Sequence, residues 1–153
     1  ERGELEAKLA EAERAREAAL PAEVLDAIPR CAGISLDRLS GLQRTDVAAK
    51  IIAYVEPFDG RQRFVQIVGA LAVDAILAGP PGESGQPVTV SAALGPADLR
   101  EAYRTALTGY YYLVELPVEA GTIPAEGTVT VRARFVDALT GLTHDAEATS
   151  AIR

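Results

Sequence analysis

The chain of 153 residues contains no methionine and no tryptophan, and it has one cysteine and one histidine. A single cysteine cannot form an intrachain disulfide framework or a cysteine-based zinc site. A single histidine excludes a multi-histidine metal site, and a Ser-His-Asp triad could be built only around His144. We interpret His144 as an edge or turn histidine. We expect Cys31 to be an inert, partly buried side chain, because no local arrangement of Arg, Lys or His suggests an activated thiolate.

Aromatic residues are also scarce, at 5% of the chain, although 48% of the residues are hydrophobic. The apolar content is rich in Ala and Val, so small side chains must fill much of the interior. This favours closely packed sheets over a wide ligand pocket. The length and the 24% of charged residues are typical of one soluble globular domain with an appendage.

Basic residues are outnumbered by acidic ones, 15 against 22, which gives a net charge of -7. This argues against nucleic acid or an anionic membrane surface as a partner, because both need a local excess of Lys and Arg. No apolar run reaches the roughly 18 residues that a membrane span needs, so we expect no direct membrane insertion. Because the chain begins at Glu1 and has no methionine, we expect a processed or trimmed product from which any export or lipid-attachment signal has been removed.

Residues 4–20 are rich in Ala, Glu, Leu, Lys and Arg and precede Pro21, so their composition predicts an N-terminal helix. The positions with heptad a/d spacing are Leu5, Leu9, Ala12, Arg16 and Ala19. This spacing favours the end of a coiled coil or stalk, which would give a homo-oligomer. The alternative is a helix that docks on the domain or frays, because the stretch is too short for a stable isolated coil. A short helical connector is expected before Pro29, and residues 1–30 form the first predicted unit.

The clearest structural signal is the strict alternation of apolar and polar residues at 128–136. The apolar set is Val129, Val131, Ala133 and Phe135. A period of two predicts a strand with one buried and one wet face. Comparable patterns predict strands at residues 34–39, 47–55, 88–94, 110–116 and 143–152. The strand at 47–55 is apolar on both faces in its second half, which is typical of a central strand.

Residues 64–78 form a long apolar run that is compatible with a buried helix or a strand. Their β-forming residues favour a strand, and the preceding Asp59-Gly60 turn predicts that this strand returns along residues 47–55. Gly69 is expected to mark a bulge or a break.

A single amphipathic helix is predicted between the strands. It opens at Gly95-Pro96 with Asp98 in its first turn, and Gly109 is placed to end it. Its apolar face is formed by Leu99, Tyr103, Ala106 and Leu107. We expect this helix to cap an open end of the sheets.

About seven evenly spaced strands with one helix between them predict a mainly β domain over residues 31–153. The fold class is a two-sheet antiparallel β-sandwich with one inserted helix and an N-terminal helix.

Several segments resemble those of uncharacterised bacterial envelope or lipoprotein-type proteins, which pair a short coiled coil with a C2-like or immunoglobulin-like sandwich. The segments are the N-terminal helix, ISLDRLSG at 34–41, YVEPFDG at 54–60, DLREAYRTAL at 98–107 and VTVRARFVDALTG at 129–141. The resemblance implies an extracytoplasmic, non-enzymatic role in the periplasm or cell envelope, and it transfers no catalytic residue.

Two groups of residues are candidates for a site. Sandwiches of the C2 type bind calcium through loop aspartates, and the loop acids here are Asp46, Asp59, Asp137 and Asp145. Turn and capping roles are the alternative, because no loop carries several acids. In the Tyr110-Tyr111-Tyr112 run, alternation places Tyr110 and Tyr112 toward the core and leaves Tyr111 as the candidate platform for an interaction.

The functional prediction is a structural or protein-interaction module that needs no cofactor and binds a protein partner or itself, with the helix setting oligomerisation or spacing. The alternatives are a calcium-dependent or carbohydrate-binding sandwich, or an enzyme that uses the loop end of the sandwich.

Overall fold

Two antiparallel sheets form most of the computed structural model, which describes residues 2–17, 21–83 and 85–152. Nine strands lie in these residues: β1 (Gly33–Leu36), β2 (Gly41–Arg44), β3 (Ala49–Phe58), β4 (Gly69–Ala78), β5 (Val88–Leu94), β6 (Tyr103–Ala106), β7 (Gly109–Val118), β8 (Gly127–Asp137) and β9 (Thr143–Ile152). The helices are α1 (Arg2–Glu17), α2 (Ala22–Ala27) and α3 (Pro96–Ala102), with a 3₁₀ turn at Ala120–Thr122. The β-sandwich predicted from the sequence is therefore confirmed, with two strands more than expected.

The five-stranded sheet has the order β1-β3-β7-β6, and β2 pairs with the other part of β3. The four-stranded sheet has the order β5-β4-β8-β9. Three connections cross between the sheets: residues 59–68, the segment that contains α3, and residues 119–126. The strand β3 is central, as its doubly apolar pattern predicts, and Ile52 on its outward face is buried together with Ile51 on its inward face.

The core lies between the sheets and is built by alternation. The inward residues of β8 are buried, with exposed fractions of 0 to 2%: Val129, Val131, Ala133 and Phe135. Arg132 and Arg134 lie between them and point to solvent. The predicted period of two is confirmed on β8 and on β9, where Asp145 and Glu147 are exposed. Burial of these inward rows is the main favourable term for the fold.

The path after β3 differs from the prediction. Residues 64–78 were expected to return along β3, but β4 pairs with β5 and β8 in the other sheet. Gly69 marks the break, because residues 64–68 form an extended connection and β4 begins at Gly69. Val65 and Ile67 of the connection are buried. The burial of these two side chains along the crossing favours this path, and local turn chemistry does not carry that information.

The predicted helix after Gly95 is real but shorter. It ends at Ala102, and β6 then pairs with β7 in the register Tyr103↔Tyr112 to Ala106↔Gly109. Ala106 and Leu107 were expected on the buried face of the helix, yet both are exposed, and Leu107 lies at the hairpin tip. Leu99 is fully buried against the strands, as predicted. Pairing with β7 overrides the helical propensity of residues 103–107.

The first predicted strand, 34–39, divides at a turn. The carboxylate oxygen Oδ1 of Asp37 accepts a hydrogen bond of 2.8 Å from the Leu39 N–H, and Leu39 is 70% exposed. Ser40 is buried, and its Oγ accepts a bond of 2.9 Å from the Tyr54 N–H. Gly41 then begins β2 rather than ending a strand. Val47, expected on the buried face of the next strand, precedes β3 and is 92% exposed.

The N-terminal helix is confirmed as α1, and the short connector helix as α2. Leu5 and Leu9 are 68% and 61% exposed, and Ala12 is also exposed. Ala19 of the predicted seam lies outside the described residues. Among the described residues, no helix combines the length and the apolar character that crossing a membrane requires.

A substitution at Gly127 tests how closely β8 approaches the end of β4. Its φ is +139°, and an added Cβ would collide with the backbone carbonyl oxygen of Ala78. We expect Gly127→Ala to lower the free energy of unfolding by about 1–3 kcal/mol, from backbone strain and displacement, as measured by urea denaturation. Gly121→Ala is the control, because nothing lies near its Cβ position. Equal effects of the two substitutions would contradict the close approach.

Candidate functional site

Aromatic side chains converge at the end of the sandwich that holds the crossover 59–68. Phe64 lies at ring-centroid distances of 5.3 Å from Tyr110, 6.0 Å from Tyr103 and 6.2 Å from Tyr112. Tyr103 and Tyr110 are nearly parallel, at 6.3 Å and 9°. The chain has only three phenylalanines and five tyrosines, so this cluster holds half of its aromatic residues. Such pairs add stability beyond the area that they bury.

Strand register places three of these rings on one face. Tyr103 lies directly opposite Tyr112 across the β6–β7 pair, and Tyr110 lies two residues before Tyr112 on the same side of β7. Tyr112 is buried, and its hydroxyl accepts a hydrogen bond of 3.0 Å from the Ile67 N–H. Burial raises the pKa of this hydroxyl, and the bond fixes the crossover against β7.

Tyr110 was predicted in the core with Tyr112, but it is 51% exposed. The alternation of β7 is correct, yet Tyr110 lies next to the hairpin tip, where the inward face is only partly covered. Phe64 and Tyr103 were not recognised as site residues, because one was assigned to a strand and the other to a helix. The signal that could have found Tyr103 is the Thr108-Gly109 pair, since a Gly between two β-forming segments is typical of a hairpin.

A groove of about 310 Å³ runs between the turn after β3 and the tip of the β6–β7 hairpin. Its lining combines three aromatic rings, one carboxylate and several neutral polar groups: Ser35, Glu56, Pro57, Phe58, Gln62, Phe64, Thr108, Gly109 and Tyr110. Gln62 has a φ of +62°, a backbone conformation that residues other than Gly rarely adopt. We call this surface the aromatic groove.

Glu56 is the charged residue of the aromatic groove. It lies on the outward side of β3 and is partly buried. Desolvation raises the pKa of its carboxyl, and the negative charge of Asp37 raises that pKa further. The charge that acts on Glu56 is therefore a second carboxylate rather than a cation. No Lys or Arg of the described chain lines the groove.

The four predicted calcium candidates are not brought together. Asp59 and Asp137 lie at the crossover end of the sandwich, whereas Asp46 lies between β2 and β3 at the opposite end. Asp145 is within β9 rather than in a loop, and its Oδ1 accepts a bond of 2.8 Å from Arg134 Nε. In the described part of the chain, no three His, Cys, Asp or Glu residues are grouped as metal ligands would be.

Asp59 and Asp137 act as turn residues. Oδ1 of Asp59 accepts bonds of 2.8 and 3.0 Å from the N–H groups of Arg61 and Arg63. These bonds, and more weakly the two arginine charges, lower the pKa of the Asp59 carboxyl. Oδ1 of Asp137 accepts a bond of 2.8 Å from the Leu139 N–H, and Asp137 is 4% exposed. This agrees with the turn and capping interpretation of both residues.

Tyr111 lies on the outward face of β7, where alternation predicts it. Its ring packs edge-to-face against Tyr54 of β3, with centroids 5.2 Å apart and an interplanar angle of 77°. Tyr111 is partly buried by this contact. The structure therefore places the predicted platform in a tyrosine pair rather than as an isolated exposed ring.

Cys31 and His144 occupy structural positions. Cys31 is 7% exposed, and its thiol donates to the Gly33 carbonyl oxygen at 3.3 Å. Burial raises the pKa of this thiol, which opposes thiolate formation. His144 is near the start of β9 and stacks on Phe135 at 6.3 Å. Its Nε2 is buried, with no hydrogen-bond partner among the described residues.

A second surface is the outer face of the four-stranded sheet, where the charged residues lie mainly on β8 and β9. Arg132 and Arg134 of β8 pair with Glu147 and Asp145 of β9, at 2.7 and 2.8 Å. The register places Arg132 and Glu147 directly opposite each other, and Arg134 and Asp145 likewise. Cross-strand ion pairs of this kind stabilise a sheet face modestly.

The other half of this face is formed by β4 and β5 and is almost uncharged. Strand β5 has the sequence VTVSAAL, without charge or proline, and pairs with β4 in a continuous register from Leu94↔Leu71 to Val88↔Leu77. No described strand lies on its other side. Its inward residues, Val90 and Ala92 among them, are only partly buried.

No family model matches the chain, and the curated proteins contain no match to it.

The raised pKa of Glu56 predicts how stability depends on pH, which tests whether its carboxylate is desolvated in the groove. Between the ordinary glutamate pKa of about 4.3 and the raised folded value, the folded state holds more protons than the unfolded state. The contribution of Glu56 to the free energy of unfolding therefore decreases as pH rises through that window. We expect Glu56→Gln to raise the melting temperature at pH 7, by an amount that shrinks toward pH 4.

The control for this prediction is Glu119→Gln, because Glu119 is exposed and the substitution makes the same change in net charge. A rise in melting temperature of equal size in both variants would show general charge repulsion instead of desolvation at Glu56.

Proposed function

We propose that this chain is a non-enzymatic interaction module of a bacterial envelope or secreted protein, with a sandwich of the immunoglobulin-like or C2-like type. We assign its binding surface to the free edge of β5, to which an extended segment of a partner protein adds as a further strand. The observation that carries the proposal is the combination of seven uninterrupted residue pairs with β4 and an outer side with no described strand.

The unprotected character of β5 supports this assignment. Exposed edge strands are normally protected by charges, proline, bulges or short length, because their unpaired backbone groups pair with other chains. The opposite edge of the same sheet, β9, carries Asp145 and Glu147, whereas β5 carries no charge. An added strand would make main-chain hydrogen bonds along β5 and would cover the half-buried Val90 and Ala92.

The neighbouring outer face also suits an approaching chain. Apart from Ile76, its outward residues on β4 and β5 are small or short: Ala70, Ala72, Asp74, Ala78, Thr89, Ser91 and Ala93. Small side chains let another backbone approach closely. The charged ladder of β8 and β9 borders this area and disfavours apolar contact there. The proposed interface is thus confined to one side of the sheet.

The helix α1 supplies spacing or valency in this proposal. Leu5 and Leu9, which are four residues apart on one side of the helix, are mostly exposed. Apolar residues at a/d spacing bury this surface when two helices pair. Linking modules in this way raises their effective concentration at a partner.

The edge can be tested by hydrogen exchange followed by NMR. The probe is a peptide with the β4 sequence, residues 70–77, flanked by lysines for solubility. We expect it to protect the β5 amides whose N–H groups point away from β4. The double substitution Ser91→Lys and Ala93→Lys should abolish this protection, because lysines on an edge oppose strand addition.

The matched control is Thr149→Lys with Ala151→Lys on β9, which should leave protection of β5 unchanged. Protection at β9 or β6 instead of β5, or no protection at all, would overturn the assignment. If the same β5 amides are instead protected without peptide and lose that protection on dilution, a second copy of the chain, and not a partner protein, pairs with β5.

The role of the helix gives a separate prediction. We expect Leu5→Ala with Leu9→Ala to lower the molar mass measured by light scattering, because the variant keeps helix propensity but loses the apolar seam. Glu11→Ala with Glu13→Ala is the control on exposed positions of the same helix and should keep the mass. An unchanged monomer in all three proteins would refute oligomerisation through α1.

A further inference from the structure

Asp74 of β4 is a carboxylate that the ion pairs of the outer face leave out. The outward residues of β4, β8 and β9 include three carboxylates and two guanidinium groups. The two arginines pair with the carboxylates of β9. Asp74 is exposed, and none of the residues that the structure describes forms an ion pair with it. The side of this face next to β5 therefore carries one uncompensated negative charge.

Strand register places Asp74 in a row of outward residues that crosses the whole sheet. Its neighbour on β8 is Arg132, and its neighbour on β5 is Ser91. Arg132 is in turn opposite Glu147 of β9. From β9 to β5 the row is thus negative, positive, negative and neutral. It ends at the free edge with the short side chain of Ser91.

We propose that the partner strand that adds to β5 carries a lysine or arginine opposite Ser91, and that this side chain reaches across Ser91 to the carboxylate of Asp74. The inference rests on the proposed strand addition at β5 and specifies the chemistry of the partner. The partner residues before and after the cation point inward, where they cover Val90 and Ala92, and are apolar. The recognised segment is therefore apolar, basic and apolar in sequence.

The spacing of strands allows this contact. Neighbouring strands lie about 4.8 Å apart, so an added strand would lie about 10 Å from β4. Lysine and arginine can lay their apolar stems along a surface while the charged end extends beyond it. Ser91 is short enough for such a stem to pass over it. An acidic residue at the same position would instead repel the Asp74 carboxylate.

The position opposite Ser91 is where the charge of the partner matters. Three outward positions of β5 are described, and of these only Ser91 borders a charged residue of β4. Thr89 and Ala93 border Ile76 and Ala72, which are uncharged. Since salt screens exposed charges that are far apart, more distant charges of the face contribute less to the choice of partner.

The test uses the full chain and three forms of the β4-sequence peptide, residues 70–77 flanked by lysines. Lysine, acetyl-lysine or glutamate replaces the residue that corresponds to Asp74. Hydrogen-exchange protection of the β5 amides is followed by NMR as each peptide is added. We expect the lysine form to protect at a concentration about three- to fivefold lower than the acetyl-lysine form, because an exposed ion pair stabilises modestly. The glutamate form should be the weakest, and added salt should reduce the differences.

A substitution in the protein connects the preference to Asp74. In the Asp74→Asn variant, the lysine and acetyl-lysine forms should protect β5 equally. The matched control is Asp46→Asn, which makes the same change in net charge in the exposed loop between β2 and β3. This control should keep the preference for the lysine form.

Three results would overturn the inference, and they are distinguishable. Equal protection by all three peptides would show strand addition without selection of charge, so the proposed function would stand and this inference would not. No protection by any peptide would overturn both. A preference for lysine that persists in Asp74→Asn would assign it to the overall negative charge of the protein instead of to Asp74.

Discussion

The inward rows of small aliphatic side chains between the two sheets are the constraint on which the rest of the structure depends. Ala53 and Val55 of β3 and Val131 and Ala133 of β8 are buried, with exposed fractions of 0 to 2%. Side chains of this size let the sheets pack closely, and their burial drives folding. Of the aromatic residues, Phe135 and Tyr112 belong to this buried core. The distribution of residue sizes therefore decides where the molecule is densely packed and where its surface can form a groove.

Two surfaces, the free edge of β5 and the aromatic groove, arise where that packing ends. At β5 the inward residues are only half covered, and the backbone has no further described strand. At the crossover end, the β6–β7 hairpin extends beyond the part of β7 that is buried, so Tyr110 is exposed while Tyr112 is not. The charge distribution separates the two surfaces, since β5 is uncharged and the groove contains Glu56. One scaffold can thus carry two chemically different surfaces.

Alternation made the strands predictable, but the pairing partners were not. The period of two predicts which residues of β8 point inward. The sheet to which β4 belongs depends instead on where Val65 and Ile67 are buried. Likewise, Tyr103 pairs with Tyr112 across two strands, although the sequence pattern placed Tyr103 in a helix. In the aromatic cluster, the ring of Phe64 lies 5.3 Å from that of Tyr110, which is more than 40 residues away in the sequence. Long-range meetings of this kind have no local signature.

The sequence by itself determined the mainly β class, the helix at the N-terminus and the buried face of most strands, because each depends on composition or on periodicity within a few residues. Only the tertiary structure decided that residues 103–106 form a strand, that β5 is an edge and that Glu56 shares a groove with aromatic rings. The physical reason is that burial is gained between distant segments, so competition among alternative pairings of the whole chain selects these features.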